Sequence, residues 1–213
     1  MEKLAIFDVD YTLTKRETLV ELYLFMIKSR PSLTRYVFVD LKAVFLYLFR
    51  IYDLKKAKEK FISFIGGIKE EDMQNIIKDF YEKRLSRIIR KDAAHMMQKL
   101  KSEGYKIFLI SASPEFYLKE LYNIKEVDKV IGTRIKVQNG LYKCSIEGNN
   151  CKGQEKIHRL MEVLKEENIE ADFKNSYMFS DSLSDKPLFD LVGKPYLINY
   201  KGHKTEIESL KWK

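Results

Sequence analysis

A short apolar run that ends in carboxylates, followed by a long stretch of purely helical periodicity, constrains this chain most. Residues 3–7 read Lys-Leu-Ala-Ile-Phe and lead into Asp8, which predicts a buried strand of a parallel sheet. Between residues 17 and 90, apolar side chains recur every three or four positions, most regularly over 73–81. Since no second strand of the sheet is predicted there, we expect an all-helical insertion after strand one.

Beyond the insertion, the pattern alternates between strands and helices, which favours an α/β fold with a parallel sheet. Asn139 and Gly140, flanked by alternating apolar residues, predict the turn of a β-hairpin over 135–146. Ser113 is expected to cap a helix whose first residue is Pro114. We expect further helices over 93–103, 153–167 and 184–191, and strands over 105–110, 176–179 and 195–200.

Composition narrows the class of protein and of partner. The 213 residues suffice for one α/β domain with an insertion, and a hydrophobic content of 45% excludes a disordered chain. A net charge of +8 favours polyanionic partners such as nucleic acid, anionic membranes or phosphorylated substrates; since Lys and Arg are spread over the whole chain, a lysine-rich surface is the alternative. Nucleic acid is not predicted as a partner, because no nucleic-acid-binding motif is recognisable. Cys144 and Cys151 are too few to hold a structural zinc by themselves.

The sequence also gives an expectation for the compartment. The first residues lack the pattern of a signal peptide and the two cysteines are typical of reduced thiols, so we expect a cytoplasmic protein. The most apolar region, residues 41–52, contains Lys42 and Arg50 and is shorter than the roughly 20 residues that span a bilayer. A helix that lies on a membrane surface is compatible with this region.

Polar side chains stand where the predicted strands end. Asp8 and Asp10 follow strand one, Ser111 follows strand two, and Asp181 follows a later strand, with Asp185 four residues further on. Parallel sheets bind ligands outside the carboxyl ends of their strands, so we expect these side chains to lie close together. Carboxylate oxygens suit Mg²⁺, and a carboxylate can also accept a phosphoryl group as a nucleophile. Each residue could instead cap the helix that follows it.

Two lysines near a predicted helix start add positive charge. Lys152 and Lys156 are four residues apart and therefore share one helix face. Cations oppose the helix dipole at this end, so an anionic partner is expected for them, although solvated lysines are the alternative. Together with the aspartates and Ser111, such a lysine supplies the groups that phosphoryl transfer needs.

These motifs together resemble those of the haloacid-dehalogenase (HAD) superfamily, in its phosphoserine-phosphatase-like branch. The resemblance runs from residue 3 to about 200 and rests on four segments: Asp8-Val-Asp-Tyr-Thr, Ser111-Ala-Ser-Pro-Glu-Phe-Tyr, Val130-Ile-Gly-Thr-Arg and Ser180-Asp-Ser-Leu-Ser-Asp, with Lys156 between the last two. It implies a Rossmann-like parallel sheet core over 1–14 and 90–213, with a helical cap over 15–89. It also implies an enzyme, a Mg²⁺-dependent phosphomonoester hydrolase.

The resemblance assigns a role to each polar residue. Asp8 would be the nucleophile that forms an aspartyl-phosphate, and Asp10 would be the general acid and base. Mg²⁺ would be held by Asp8, the main-chain carbonyl of Asp10, and Asp181. Ser111 would bind a phosphate oxygen, and Asp185 would orient the lysine that neutralises the phosphate.

The resemblance leaves the lysine open and contains one departure. Phosphoserine phosphatases carry the phosphate-neutralising lysine just before a glycine, which matches Lys152. Lys152 is therefore a candidate substrate-binding residue. Small bacterial hydrolases of the branch carry Cys-x-Gly-x-x-Lys, which matches Lys156, and we favour Lys156 as the catalytic lysine. The family usually has glycine or another small residue where this chain has Tyr11, which affects the expectation for the substrate more than that for the chemistry.

Two features point to different substrates. Glu17 lies nine residues after Asp8, where phosphoserine phosphatases carry the glutamate that binds the substrate ammonium; a first-turn glutamate favoured by the helix dipole is the alternative. The apolar segments 37–39 and 44–49, with Arg35, Lys42 and Arg50 among them, suit a lipid phosphate or an anionic membrane surface, unless they are packing faces. We therefore expect a small phosphorylated substrate or a lipid phosphate, with peripheral membrane contact. A non-catalytic membrane- or partner-binding module would not need the four aspartates.

Overall fold

The computed structural model describes residues 1–49 and 51–213, and for residues 40, 41, 44, 47, 48 and 54 it describes the backbone only. The predicted contribution of Arg50 to a basic apolar surface therefore lies outside the described residues. The described part of the chain contains no helix that is both long and apolar enough to cross a membrane.

The core is a six-stranded sheet in which each neighbouring pair of strands is parallel. Its strands are β1 (Leu4–Phe7), β2 (Lys106–Pro114), β3 (Val127–Thr133), β6 (Tyr177–Ser180), β7 (Lys194–Ile198) and β8 (Glu208–Leu210). They are arranged in the order β3-β2-β1-β6-β7-β8, which places β1 inside the sheet between β2 and β6. The expected α/β class with a Rossmann-like sheet is confirmed.

The sequence pattern did not predict two strands of the sheet. The strand β3 carries Asp128 and Lys129, which interrupt its apolar run because it lies at one edge of the sheet. The strand β8 has only three residues and is exposed at the other edge. Edge strands are less buried than central ones, so they leave a weaker apolar signal.

Helices fill the stretch between β1 and β2, as predicted. They are α1 (Thr18–Ser29), α2 (Tyr36–Leu48), α3 (Leu54–Phe61), α4 (Glu70–Lys83) and α5 (Lys91–Ser102). Carboxylate side chains cap the N-termini of two of these helices. In α1, Glu17 accepts a hydrogen bond from the Val20 N–H at 2.6 Å, and in α3, Asp53 accepts one from the Lys56 N–H at 2.7 Å. The remaining helices are α6 (Glu115–Leu118), α7 (Gln154–Glu166) and α8 (Lys186–Leu191).

The first strand contributes to two separate cores. Ala5 and Phe7 belong to the cluster that also contains the buried residues of α1 and α4, whereas Leu4 and Ile6 belong to the cluster packed by α7 and α8. Successive strand residues point to opposite faces, so a run of four apolar residues is what a sheet covered on both faces requires.

The predicted hairpin is confirmed and is joined to the helical insertion. It consists of β4 (Ile135–Gln138) and β5 (Leu141–Ile146), and Asn139 and Gly140 between them both have positive φ, 55° and 68°. Main-chain hydrogen bonds connect it to the insertion: the Gly67 N–H donates to the Tyr142 carbonyl at 2.9 Å and the Glu70 N–H donates to the Gly140 carbonyl at 3.0 Å. The insertion is therefore held by backbone pairing as well as by side-chain packing.

Gly132 allows β3 to approach the end of β2. A Cβ atom on this residue would lie 2.8 Å from the Ser113 carbonyl oxygen and 2.8 Å from the Glu115 Cα, which are both backbone atoms. The Gly132 carbonyl also accepts a hydrogen bond from Arg159 at 3.2 Å. The glycine thus sets the position of the Ser111–Ser113 segment, which leads into the candidate site.

We expect Gly132→Ala to lower the free energy of unfolding by about 1–3 kcal/mol, because the added methyl group meets backbone that cannot move aside cheaply. Urea unfolding monitored by circular dichroism measures this change. Gly202→Ala is the matched control, since its new Cβ meets the hydroxyl end of the Tyr200 side chain, which can swing away. It should change stability by less than about 0.5 kcal/mol. Equal unfolding midpoints for the two variants would contradict the packing argument.

Candidate active site

The carboxyl ends of β1, β2 and β6 meet around one cavity of about 230 Å³. Its lining contains all eight residues that the sequence analysis singled out: Asp8, Asp10, Glu17, Ser111, Lys152, Lys156, Asp181 and Asp185. Tyr11, Ala112, Ser182 and Ser184 complete the lining. A larger cleft of about 480 Å³ lies between α1 and α4, away from the strand ends, and contains none of these residues. The predicted site residues are therefore concentrated in the smaller cavity.

Lys156 lies at the centre of the charged network. Its side chain is 2% exposed, and its Nζ donates hydrogen bonds to Asp8 Oδ1 and to Asp185 Oδ2, each at 2.7 Å. Burial disfavours the charged form of the amine, but the two carboxylates outweigh burial and raise the pKa of Lys156 above its usual value. The ammonium is therefore fixed between the two aspartates.

The carboxylates outnumber the buried cation. Burial, opposed by Lys156 and reinforced by Asp185 and Asp10, raises the pKa of Asp8 to about 8. Burial and the charge of Asp185 raise the pKa of Asp181 to about 6. Burial is the largest cause of both shifts, and the neighbouring aspartates add to it, so negative charge is unfavourable at this edge of the sheet without a further cation.

The donor set of this edge fits a hard divalent cation. Asp8, Asp10 and Asp181 offer oxygen ligands, and Asp185 Oδ1 is buried without a hydrogen-bond partner among the described residues. In the described part of the chain, no three His, Cys, Asp or Glu side chains are arranged as a metal-binding group. The expected set has two carboxylates and one main-chain carbonyl, and Mg²⁺ usually keeps several waters as its other ligands. The residues present therefore fit Mg²⁺.

Four donors hold the side chain of Asp10. Its Oδ1 accepts hydrogen bonds from the N–H and the hydroxyl of Thr18, both at 2.7 Å. Its Oδ2 accepts hydrogen bonds from Ser113 Oγ at 2.6 Å and from Ser111 Oγ at 3.4 Å. The Tyr117 hydroxyl lies 2.9 Å from Thr18 Oγ1 and completes this network. The carboxylate of Asp10 is thus fixed from both the helical insertion and β2.

The expectation that Ser113 caps a helix is wrong. The strand β2 continues to Pro114, α6 begins at Glu115, and the Ser113 side chain bonds Asp10 instead. Side chains two apart on a strand point to the same face, so the spacing of Ser111 and Ser113 was a signal for a shared target. Thr18 gave no comparable signal, because its contact with Asp10 depends on how α1 packs.

Tyr11 occupies strained backbone at the mouth of the cavity. Its φ is 59°, in the left-handed region, where a side chain costs about 1–2 kcal/mol. This gives a physical reason for the small residue expected at this position. The side chain is 48% exposed, while the next residue, Thr12, is buried and its Oγ1 accepts a hydrogen bond from the Asp181 N–H at 2.8 Å. The turn thus directs Tyr11 to the solvent and fixes the loop of Asp181.

Comparison with known proteins places this arrangement in a family. The sequence profile of the haloacid dehalogenase-like hydrolases matches residues 5–190. The chain belongs to this family. The resemblance inferred from the motifs is confirmed, and with it the expectation of an enzyme, a hydrolase of the phosphoserine-phosphatase-like fold.

Individual relatives are distant. The hydrolase is 27% identical to Protein CicA from Caulobacter vibrioides over 164 residues, which cover 75% of this chain and 72% of that protein. A protein of unknown function from Bordetella pertussis shares the fold with a TM-score of 0.83 and 19% identity, covering 94% of this chain and 92% of its own. A substrate-bound phosphoserine phosphatase has a TM-score of 0.64 and 19% identity, covering 94% and 88%. At these identities the solved structures establish the fold of the hydrolase.

The geometry distinguishes the two candidate lysines of the hydrolase. Lys152 lines the cavity but is exposed, and among the described residues its side chain has no hydrogen bond or ion pair. Lys156 is buried between two aspartates. The structure therefore places Lys156, and not Lys152, between the two carboxylates, while Lys152 lies in the cavity lining with an exposed side chain.

Glu17 fits both of its interpretations. It caps α1 through Val20, and it also lines the cavity. Burial, reinforced by the charge of Asp10, raises the pKa of Glu17 to about 7. The carboxylate that starts the helix is therefore also an acidic group close to Asp10, and it forms no ion pair within 4.0 Å among the described residues.

Lys58 is a site residue that the sequence analysis missed. It lies on α3 of the insertion, and its Nζ donates hydrogen bonds to Asn150 Oδ1 at 2.8 Å and to the Ala112 carbonyl. Burial, opposed by Asp10 and Glu17, lowers the pKa of Lys58 to about 8. A lysine in a lysine-rich helix has no distinctive sequence signal, so only packing could identify it.

We expect Lys156→Met to lower the free energy of unfolding by about 3–5 kcal/mol, because it leaves Asp8 and Asp185 buried without their cation. The control Lys152→Met should change it by less than about 0.5 kcal/mol, since that side chain is exposed. Urea unfolding of both variants in metal-free buffer measures the difference. Equal losses would show that the buried ion pairs are not what distinguishes the two lysines.

The raised pKa of Glu17 predicts a pH dependence of stability. Between about pH 4.5 and 7 the folded chain retains a proton on Glu17 that the unfolded chain has lost, so this residue lowers stability as pH rises through that window. Glu17→Gln removes this titration and retains an acceptor for the helix start. Its unfolding free energy relative to wild type should rise by about 3 kcal/mol from pH 4.5 to pH 8. Thermal melts across this range in metal-free buffer test this, and parallel profiles would contradict it.

Proposed function

We propose that this hydrolase is a Mg²⁺-dependent phosphomonoesterase that acts through an aspartyl-phosphate on Asp8. The observation that carries the proposal is the placement of Lys156, fixed at 2.7 Å from both Asp8 and Asp185 at the carboxyl edge of the sheet. An ammonium in this position leaves one oxygen of Asp8 available and offers positive charge to a phosphoryl group beside it.

Each step of the proposed reaction uses a group of this chain. The free carboxylate oxygen of Asp8 bonds to phosphorus as the bond to the leaving oxygen breaks, and Asp10 donates a proton to that oxygen. Asp10 then takes a proton from water. The oxygen of this water bonds to phosphorus as the bond between phosphorus and the Asp8 oxygen breaks. Ser111 donates a hydrogen bond to a phosphate oxygen. Mg²⁺, held by Asp8, Asp181 and the Asp10 carbonyl, would neutralise phosphate charge.

We propose further that residues 15–89 act as a cap over a core made of 1–14 and 90–213. The two connecting segments lie side by side, since the Lys15 N–H donates to the Ile88 carbonyl and the Arg90 N–H donates to the Leu13 carbonyl, each at 2.8 Å. The hydrogen bonds of Lys58 to the core support a cap that closes over the cavity.

A small phosphorylated amine is the substrate class that the cavity supports best. Glu17 places an acidic group beside Asp10, where it suits the ammonium of a substrate such as phosphoserine. The second candidate, a lipid phosphate of the phosphatidylglycerophosphate type, is favoured by the exposed apolar side chains of α2.

Phosphate release with Mg²⁺ from phosphoserine and from phosphatidylglycerophosphate in vesicles tests the proposal. Asp8→Asn should lower turnover about 10,000-fold, because it removes the nucleophile. The matched control Asp190→Asn, on the exposed face of α8, should retain turnover. Chelation with EDTA should reduce release to the Asp8→Asn level, and added Mg²⁺ should restore it.

The comparison of the two substrates separates the candidates. Faster turnover of phosphoserine supports Glu17 as a substrate ligand, and Glu17→Gln should then raise KM more than it lowers kcat. Faster turnover of the lipid supports the second candidate. Release no faster than that of the Asp8→Asn variant with both substrates would contradict both substrate assignments.

A further inference from the structure

Exposed apolar side chains are concentrated in one short part of the chain. Among the described residues, 13 large hydrophobic side chains are exposed, and six of them lie between residues 37 and 51. Phe38 is 78% exposed, Ile51 is 65% and Phe49 is 63%. Single exposed apolar residues are ordinary, but such a concentration marks an interaction surface.

Three of these side chains, together with Lys42, form a stripe along α2 and the turn after it. Phe38, Lys42, Phe45 and Phe49 are separated by four, three and four residues, so they follow one face of the helix and of the turn after it. The rings of Phe45 and Phe49 are 4.4 Å apart, whereas Ala43, between them and Phe38 in sequence, is buried. We call these three phenylalanines, with Lys42 among them, the aromatic stripe.

Net positive charge is concentrated in the same part of the chain, because this part contains few acidic residues. Residues 22–58 contain eight Lys and Arg and two Asp and Glu, a net charge of +6 out of +8 for the whole chain. Arg30, Arg35 and Lys42 are among the exposed residues of this segment. The surface is therefore both apolar and cationic.

We propose that the aromatic stripe docks this protein on an anionic membrane surface. Aromatic side chains enter the boundary between headgroups and acyl chains, and surrounding cations attract anionic headgroups. A second copy of the chain is disfavoured, because a symmetric contact would bring the same cationic segments together. The proposal goes beyond the proposed reaction, since none of the stripe residues lines the cavity. Docking would place the bilayer next to α3, whose Lys58 reaches the cavity rim.

Co-sedimentation with vesicles tests this. Wild-type protein should bind vesicles of phosphatidylcholine with about 30% phosphatidylglycerol and should not bind phosphatidylcholine alone, and binding should weaken as salt rises. Phe45→Ser combined with Phe49→Ser should weaken binding at least about tenfold. Lys42→Gln should weaken it about fivefold.

Matched controls separate docking from folding and from catalysis. Met161→Ser removes an exposed apolar side chain (38% exposed) from α7, outside the stripe, and should leave vesicle binding unchanged. The stripe variants should keep the thermal unfolding midpoint of wild type and its turnover of soluble phosphoserine. Because binding is read by sedimentation, its failure is distinguishable from failure of the proposed reaction.

Three results would overturn the proposal. One is no sedimentation with anionic vesicles at low salt. Another is sedimentation that the stripe variants do not weaken. The third is a wild-type dimer in solution that the Phe45 and Phe49 substitutions dissociate while vesicle binding is unaffected, which would assign the surface to a second copy.

Discussion

The ion pairs of Lys156 with Asp8 and Asp185 are the interaction on which the candidate site depends. They join three elements: α7 supplies the ammonium, the end of β1 supplies one carboxylate, and the turn after β6 supplies the other. Burial of these charges is costly unless they are hydrogen-bonded, and Ser180 donates a further hydrogen bond to Asp185 Oδ2 at 2.8 Å. The network therefore fixes the relative positions of the strands and helix that form the cavity.

The same network leaves an excess of negative charge at the edge of the sheet. Lys156 faces Asp8 and Asp185, with Asp10 and Asp181 nearby, and burial together with the neighbouring aspartates raises the pKa values of Asp8 and Asp181. An excess of negative charge can bind a divalent cation, and in the proposed reaction that cation would offset the charge of a phosphoryl group. The negative charge that destabilises the ligand-free site is thus the property that the proposed reaction would use to bind a cation.

The helical insertion takes part in the site instead of only covering it. Thr18 gives two hydrogen bonds to Asp10, and Lys58 reaches the core at Asn150. The connections near residues 14 and 89 and the hairpin at 135–146 hold this part of the chain against the sheet. The hydrogen bonds of Asp10 consequently depend on how the insertion packs against the sheet, whereas the ion pair of Asp8 depends on the position of α7 relative to the sheet.

The sequence by itself determined the α/β class, the helical insertion, the hairpin at Asn139 and Gly140, and eight polar residues that line the cavity. It could do so because apolar periodicity and strand ends are local patterns. Only the tertiary structure decided that Lys156 and not Lys152 is buried between aspartates, and that Ser113 bonds Asp10 and caps no helix. Lys156 and Asp8 are 148 residues apart in sequence, so their contact follows from packing, which no local pattern encodes.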